Sequence, residues 1–251
     1  MILVIDNYDS FVYNLVHYVE DFGVRTEAPV QRELLDYLAA TFVENGWSIK
    51  KLHRLILLSA TYQQSSDATP GTLKADPENR YLSRFNRQRL DFEAMRDTML
   101  AVAGKLDLSV GGLPVDIIGE PFAKRRAVYG LIERQNLPGL FRTFDFANPD
   151  VSNQARFTTT VPQQALFMMN SPFVIEQAKA LAQRDEVKRA QTSDEKIRAL
   201  EQLVCLRSPD REELRLAEKF IAAPAEKGAK LSPLEKYAQV LLLSNELMFV
   251  D

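Results

Sequence analysis

Helical periodicity is the feature that most constrains the fold of this chain. Apolar residues recur at spacings of three and four in at least eight segments, which is typical of helices that bury one face. Only two runs have the composition of a strand, Met1–Ile5 and Ala127–Ile132. The sequence therefore predicts a mainly α protein: a multi-helix globular domain with minor β content, preceded by a short β-α appendage.

The clearest periodic segments predict a set of helices with polar residues at several starts. Ser10 and Ser48 are suitable N-caps, and Gly46 is a suitable C-cap. The predicted helices after the appendage span residues 32–45, 48–59, 91–104, 162–169, 172–184, 193–206, 210–222 and 232–245. Three connecting segments, 65–77, 107–123 and 137–157, are rich in turn residues and are predicted to be loops or irregular.

Composition argues against several classes of function. The net charge is −3, whereas a nucleic-acid-binding domain normally carries a strongly basic face. A single cysteine and two histidines exclude an internal disulfide and leave few ligands for a metal site. There is no C-x-x-C-H motif for covalent haem. We therefore expect no nucleic-acid partner, no metal and no cofactor.

Membrane and export signals are also missing from the sequence as written. No apolar run approaches the roughly 20 residues that span a bilayer, so no membrane span is expected. The first residues lack a basic segment and a small-residue cleavage site, and Asp6 and Asp9 interrupt the apolar stretch. From this pattern alone the expected location is the cytoplasm.

Three residues are candidates for acid-base chemistry. His53 lies on a predicted helix near a polar end, where it could carry a proton or bind a ligand, or bond to a neighbouring loop as an ordinary helix-face histidine. Asp145 and Asp150 lie in an irregular segment. They could act as acid and base if folding brings them together with one pKa raised.

An acid and amide cluster surrounds those two carboxylates. Asn148, Asn153 and Arg156 complete it. Oxygen-rich loops of this kind can hold a hard cation or the hydroxyls of a sugar. The same residue types also serve as turn and cap residues, so both interpretations stay open.

Arginines form the remaining candidate sites. Arg125 and Arg126 follow a long predicted loop and are candidate anion-binding residues, since guanidinium groups match carboxylate and phosphate geometry. A second group is interleaved with acidic residues and is either an anion site or a solvated, self-compensating surface. Its members are Arg80, Arg84, Arg87, Arg89 and Arg96.

The first stretch, MILVIDNYDSFVYNLVHYVEDFG, resembles the start of class I glutamine amidotransferases, specifically the glutaminase subunits of anthranilate and aminodeoxychorismate synthases. In that family a cysteine on a glycine-flanked elbow is activated by a downstream histidine. Here the sole cysteine, Cys205, lies in a helical pattern where a buried apolar role is expected, and no histidine follows His53. Residues 1–28 are therefore interpreted as an amidotransferase-like β-α fragment, and glutaminase activity is not expected.

Residues 29–251 resemble a different family, the planctomycete domain of unknown function fifteen-fifty-three. The resemblance is carried by ELLDYLAATFVENGWSIKKLHRLILLSATYQQSS, DPENRYLSRFNRQRLDFEAMRDTMLAVAGKLD, RRAVYGLIERQNLPGLFRTFDFANPD, TTTVPQQALFMMNSPFVIEQAKALA and YAQVLLLSNELMFVD. It implies a helical domain from a large exported or periplasmic protein. The partners that it implies are other modules of that protein, including cytochrome-c-like ones.

Two function hypotheses follow. The first is an accessory or binding domain without catalytic activity, within an exported multidomain protein. The second is a hydrolase or sugar-processing enzyme that uses His53, Asp145, Asp150 and Arg126. No complete catalytic constellation is visible in the sequence, which favours the first hypothesis.

Overall fold

The structure, a computed structural model, describes residues 30–150, 156, 158–224 and 228–250. It divides into two compact units, the first ending at Gln88 and the second running from Arg89 to Val250. Each unit has its own buried apolar residues, as expected for separate compact bodies. The predicted β-α appendage of residues 1–28 lies outside the described residues.

The first unit is built from short helices. Its helices are α1 (Arg32–Glu44), α2 (Ile49–Leu57) and α3 (Pro70–Ala75). Ser48 caps α2, because its hydroxyl accepts a hydrogen bond from the Lys51 N–H at 3.4 Å. Leu38 of α1 and Ile56 of α2 are buried, so both helices turn an apolar face inward.

The second unit contains most of the described helices. In chain order its elements are β1 (Gln88–Arg89, which begins at the last residue of the first unit), α4 (Phe92–Val102), a 3-10 turn (Ala127–Tyr129), α5 (Gly139–Thr143), α6 (Pro162–Asn170), α7 (Pro172–Ala182), α8 (Asp185–Arg189), α9 (Ser193–Val204), α10 (Arg211–Ala222), α11 (Pro233–Leu242), α12 (Asn245–Met248) and β2 (Phe249–Val250). The strands β1 and β2 are neighbours in a two-stranded sheet. Among the described residues of both units, no helix is long and apolar enough to cross a membrane.

The core of the second unit forms around the α7–α11 pair, the most extensive helix packing among the described elements. Val174 and Ala178 of α7 and Ala238 and Leu242 of α11 are fully buried. The two alanines allow the helix axes to approach closely while the larger side chains fill the space around them. This core supports α9, α10 and α4, which pack around it.

The predicted mainly α fold with minor β is confirmed. All eight helices predicted between residues 32 and 245 occur, and every end lies within three residues of its predicted position. Local signals explain this agreement: Asp91, for example, accepts from the Ala94 N–H at 2.7 Å and starts α4.

Three local predictions were wrong. The expected strand Ala127–Ile132 begins as a 3-10 turn, because the Tyr129 N–H bonds to the Arg126 carbonyl at 3.0 Å and the Gly130 N–H bonds to the Ala127 carbonyl at 2.8 Å. The segment 65–77 contains α3, and the segment 137–157 contains α5. Both helices are only five or six residues long, too short to show a periodic pattern.

The expectation of a solvated arginine surface also needs a correction at one position. Arg96 on α4 has 1% of its surface exposed. A buried guanidinium needs partners for its donors. Apart from the adjacent Asp97, these partners are carbonyl groups 21 to 29 positions away, which no local pattern indicates.

Candidate functional site

The predicted site residues are distributed over both units. His53 lies on α2 of the first unit and is half-buried, and its side chain makes no hydrogen bond or ion pair with any described residue. The other predicted residues that the structure describes, Asp145, Asp150, Arg125, Arg126, Asn148 and Arg156, belong to the second unit. Asn153 lies outside the described residues.

Asp145 is the most heavily bonded of the predicted carboxylates. It follows α5 with a φ of 59°, a left-handed conformation that Asp adopts more readily than most residues. Its Oδ2 accepts from Arg89 NH2 at 3.2 Å and from the Thr159 N–H at 2.9 Å, and its Oδ1 accepts from the Thr159 hydroxyl at 2.6 Å. Three donors thus hold the carboxylate in place.

Arg89 and Gln164 extend this network into the interior. Arg89 NH1 donates to Gln164 Oε1, and Gln164 Nε2 donates to the Thr143 carbonyl at 2.8 Å and to the Thr159 carbonyl at 3.2 Å. Arg89 Nε is buried without a partner among the described atoms. The network joins β1, the end of α5 and the start of α6, so its first role is to connect these elements.

Arg156 forms a second polar cluster. Its guanidinium makes two parallel hydrogen bonds to the Glu93 carboxylate, at 2.9 and 2.8 Å, and lies 3.6 Å from an oxygen of Asp91. The same guanidinium lies over the Phe146 ring, 4.5 Å from its centroid. Bidentate pairing is the strongest arrangement for an arginine and a carboxylate, and here it attaches Arg156 to the first turn of α4.

The other acidic and amide residues are exposed. The Asn148 side chain accepts from the Asp150 N–H at 3.1 Å, a local turn bond. The Asp150 carboxylate lies 3.9 Å from Arg134 Nε, with both side chains more than half exposed. Asp145 and Asp150 therefore differ in environment, one bonded within the fold and one facing solvent.

Arg125 stabilises the long loop that precedes the 3-10 turn. Its guanidinium lies over the Tyr129 ring at 4.1 Å from the centroid and donates to the carbonyls of Ser109, at 3.2 Å, and Gly111. The Gly111 N–H in turn donates to the Tyr129 hydroxyl at 3.0 Å. Arg126, the next residue, is exposed.

Arg96 connects the same loop to the core. Its guanidinium donates to the carbonyls of Ile117, at 3.2 Å, Arg125, at 2.9 Å, and Ala123. It also donates to the Asp97 carboxylate at 3.2 Å. Burial lowers the pKa of Arg96, and the adjacent Asp97 offsets part of this effect.

Asp97 completes the attachment. Both of its oxygens accept from the Ala127 N–H, at 2.8 and 3.0 Å, which holds the start of the 3-10 turn against α4. Burial raises the pKa of the Asp97 carboxyl above its usual value, while the Ala127 hydrogen bond and the charge of Arg96 act in the opposite direction. Arg96 and Asp97 are thus a pair that fixes the loop, a role that local sequence could not indicate.

The long loop and the 3-10 turn segment that follows it carry large exposed apolar side chains. We call these residues the loop patch: Leu108, Val110, Leu113, Val128 and Leu131, all of them exposed. Val110 is 91% exposed and Leu113 is 84% exposed. Exposed apolar side chains of this size are typical of an interaction surface when hydrogen bonds hold the backbone that carries them.

No group of three or more His, Cys, Asp or Glu side chains that could hold a metal ion occurs in the parts of the chain that the structure describes. The residues brought together instead are Asp145 with Arg89, and Arg156 with Glu93. Gln164, Asp97 and the loop patch were not predicted from the sequence, and Arg89 and Arg96 were predicted to belong either to an anion site or to a solvated, self-compensating surface.

Comparison with known protein families gives one result. Residues 9–221 match the model of a family described as a protein of unknown function, DUF1553 (PSD1). The chain belongs to this family. The match begins inside the segment 1–28, whose amidotransferase resemblance remains a prediction. DUF1553 membership confirms the resemblance inferred from the longer part of the sequence. No curated protein and no solved structure matches the chain.

Proposed function

We propose that this DUF1553 chain is a binding domain without catalytic activity, part of a larger exported multidomain protein. The observation that carries the proposal is the loop patch, since it presents apolar side chains to solvent from a loop that internal bonds hold in one conformation. The partners proposed from the family resemblance are other modules of the parent protein, including cytochrome-c-like ones, in an exported or periplasmic location.

The bonds beneath the loop support a binding role. Arg96, Asp97 and Arg125 fix its backbone from the inner side, while its outer side is apolar. Ordering a loop on binding costs conformational entropy, and a loop that is already ordered avoids much of that cost. A preorganised apolar loop is therefore suited to binding a partner.

The bonds of two predicted site residues, Asp145 and Arg156, support a role without catalysis. The Asp145 carboxylate accepts from three donors, and Arg156 is paired with Glu93. A general base or an anion-binding arginine must have capacity left for a substrate. These two candidates are instead used to connect secondary-structure elements.

The test is a turnover assay with matched variants. The purified chain is incubated with chromogenic glycosides, esters and phosphoesters and with glutamine, beside Asp150→Asn and His53→Ala, which alter candidate acid-base residues that make few contacts. We expect no turnover above the buffer rate for any protein. Saturable turnover that either variant abolishes, with the melting temperature unchanged, would establish an enzyme and overturn the proposal.

A further inference from the structure

Helix α2 of the first unit has one buried side and one side that faces solvent. Ile56 is buried. We call the exposed side the basic face, and its residues are Lys50, Lys51, Arg54, Leu57 and Leu58. Side chains three, four or seven positions apart lie on the same side of a helix, and Leu58 still belongs to the last turn because its N–H donates to the Arg54 carbonyl at 3.1 Å. Cations therefore precede leucines along one exposed surface.

Trp47 lies directly before this helix and is also exposed. It is the single tryptophan of the chain, and 61% of its surface faces solvent. The Trp47 N–H donates to the Phe42 carbonyl at 3.0 Å, and the two rings meet edge to face with their centroids 5.4 Å apart. These contacts hold a large amphipathic ring in a defined place at the start of α2.

The charges around these apolar side chains have a single sign. No Asp or Glu occurs between Glu44 and Asp67. The side chains of Lys50, Lys51 and Arg54 form no hydrogen bond or ion pair with any residue that the structure describes. The chain as a whole has a net charge of −3, so the positive charge is local to α2. Because charge acts over about 10 Å at ordinary salt concentration, a local cluster is sufficient to attract an anionic surface.

We infer that the basic face and Trp47 bind the surface of an anionic phospholipid bilayer. Leucine and tryptophan side chains enter the boundary between headgroups and acyl chains, and the long stems of lysine and arginine let their charged ends reach the lipid phosphates. An acidic peptide in solution would pair with the cations but leave Trp47, Leu57 and Leu58 in water. The nine residues of α2 extend about 14 Å, so the helix lies along the bilayer surface.

This inference goes beyond the proposed binding function, because it concerns the first unit and includes no residue of the loop patch. A chain of an exported multidomain protein would then have two separate surfaces, one for lipid and one for a protein module. The failure of one assignment leaves the other intact.

The experiment mixes the full chain with vesicles in about 50 mM salt, where screening is weak. One set of vesicles is equimolar phosphatidylglycerol and phosphatidylcholine, and the other is phosphatidylcholine alone. Binding is measured by co-sedimentation and by the fluorescence of Trp47, which no other tryptophan obscures. We expect the chain to pellet with the anionic vesicles only, and its emission to move to shorter wavelength as the indole leaves water.

The charge variant is Lys50→Gln, Lys51→Gln, Arg54→Gln. Each cation near an anionic bilayer contributes about fivefold to binding, so this variant should bind roughly 100-fold more weakly. The matched control removes three exposed cations from helices of the second unit and should bind like the wild type. Its substitutions are Lys179→Gln, Lys188→Gln and Lys219→Gln.

The apolar variant is Leu57→Ser, Leu58→Ser, which keeps every charge and should bind at least about tenfold more weakly. Circular dichroism should be the same for all variants, because every substituted side chain is exposed. A wild-type chain that does not pellet with anionic vesicles would overturn the inference, as would equal binding by the charge variant and its control. Binding to soluble polyglutamate without a shift of Trp47 emission on vesicles would reassign the basic face to an acidic polypeptide.

Discussion

The phenol of Tyr237 donates a 2.6 Å hydrogen bond to the carboxylate of Glu201 in the interior of the second unit. The two residues lie on α11 and α9, and both side chains are buried. A buried carboxylate without a donor is costly. This bond therefore adds one directional polar contact to the apolar packing of α9 against α11.

Tyr237→Phe tests the contribution of that bond. The variant keeps the ring but leaves a buried Glu201 oxygen without its donor, so unfolding free energy should fall by about 1–3 kcal/mol. Urea titration followed by circular dichroism measures the change. Tyr81→Phe, at an exposed tyrosine, is the control and should leave the midpoint unchanged. Equal effects of the two variants would show that the hydrogen bond does not contribute.

The raised pKa of Tyr237 also predicts how the stability of the fold depends on pH. Burial, followed by the hydrogen bond to Glu201, raises the pKa of this phenol well above the usual value of 10.0. The folded state therefore keeps the proton longer than the unfolded state does. This contribution to stability is complete below pH 10 and is lost as the pH rises beyond it. Denaturation at increasing alkaline pH should show a decline in wild-type stability that Tyr237→Phe lacks.

Cys205 should react slowly in the folded protein. Burial, together with the hydrogen bond to Glu201, raises the pKa of the thiol to about 12. Because the thiolate is the reactive form, alkylation by iodoacetamide at pH 8 should be at least about 100-fold slower in the native chain than in urea. The chain has one cysteine, so mass spectrometry follows this site alone. Comparable rates in the two states would contradict the burial of the thiol.

Arg96→Met should be the most destabilising of these substitutions. Methionine fills much of the volume but leaves three loop carbonyls and the Asp97 carboxylate without their donor. Breaking a fully buried pair costs about 3–5 kcal/mol, and because Asp97 is half-buried and keeps its bond from the Ala127 N–H, the loss should lie near the lower end of that range. Arg198→Met removes an exposed pair within α9 and should change the urea midpoint little. Hydrogen exchange should also show lost protection at Ala127, whose N–H bonds to Asp97.

Asp145→Asn separates a structural role from a catalytic one. The amide keeps the shape but removes an acceptor oxygen from the bonds to Arg89 and Thr159, and unfolding free energy should fall by about 1–3 kcal/mol. Asp150→Asn, at the exposed carboxylate, should have little effect on stability. If Asp145→Asn leaves the unfolding midpoint unchanged, the network around Arg89 does not connect the elements as described.

Protonation of the Glu213 carboxylate should lower the stability of the fold at acid pH. Hydrogen bonds from Arg207 and from the Asp210 N–H lower the pKa of this carboxyl from 4.5 to about 2. Its contribution is therefore present above pH 4.5 and is lost as the pH falls towards 2. The difference in melting temperature between the wild type and Glu213→Gln should shrink across that interval. A difference that stays constant with pH would assign the effect to packing instead.

Several helices could be predicted from the sequence because their determinants are local. In α4, α9 and α10 the apolar face repeats with the helical period, and capping side chains at Asp91, Thr192 and Asp210 bond within the first turn. Such signals need only neighbours three or four positions away.

The site residues were harder to predict because their roles depend on distant partners. Arg89 meets Asp145, 56 positions later, and Gln164, 75 positions later. No local pattern links these residues, and arginines interleaved with acids look alike in sequence whether they are exposed or buried. Arg96 differs from its neighbours only because α4 turns it toward the loop carbonyls.

The sequence by itself determined the eight longer helices and several of their capped starts, because periodicity and capping act over one or two turns of chain. Tertiary structure alone decided that Ala127–Ile132 begins with a turn, that Arg96 is buried, and that Val110 and Leu113 face solvent. The physical reason is that Asp97 and Arg96 bond to backbone groups 20 to 30 positions away. Those bonds fix the inner side of the loop, which leaves its apolar side chains on the surface.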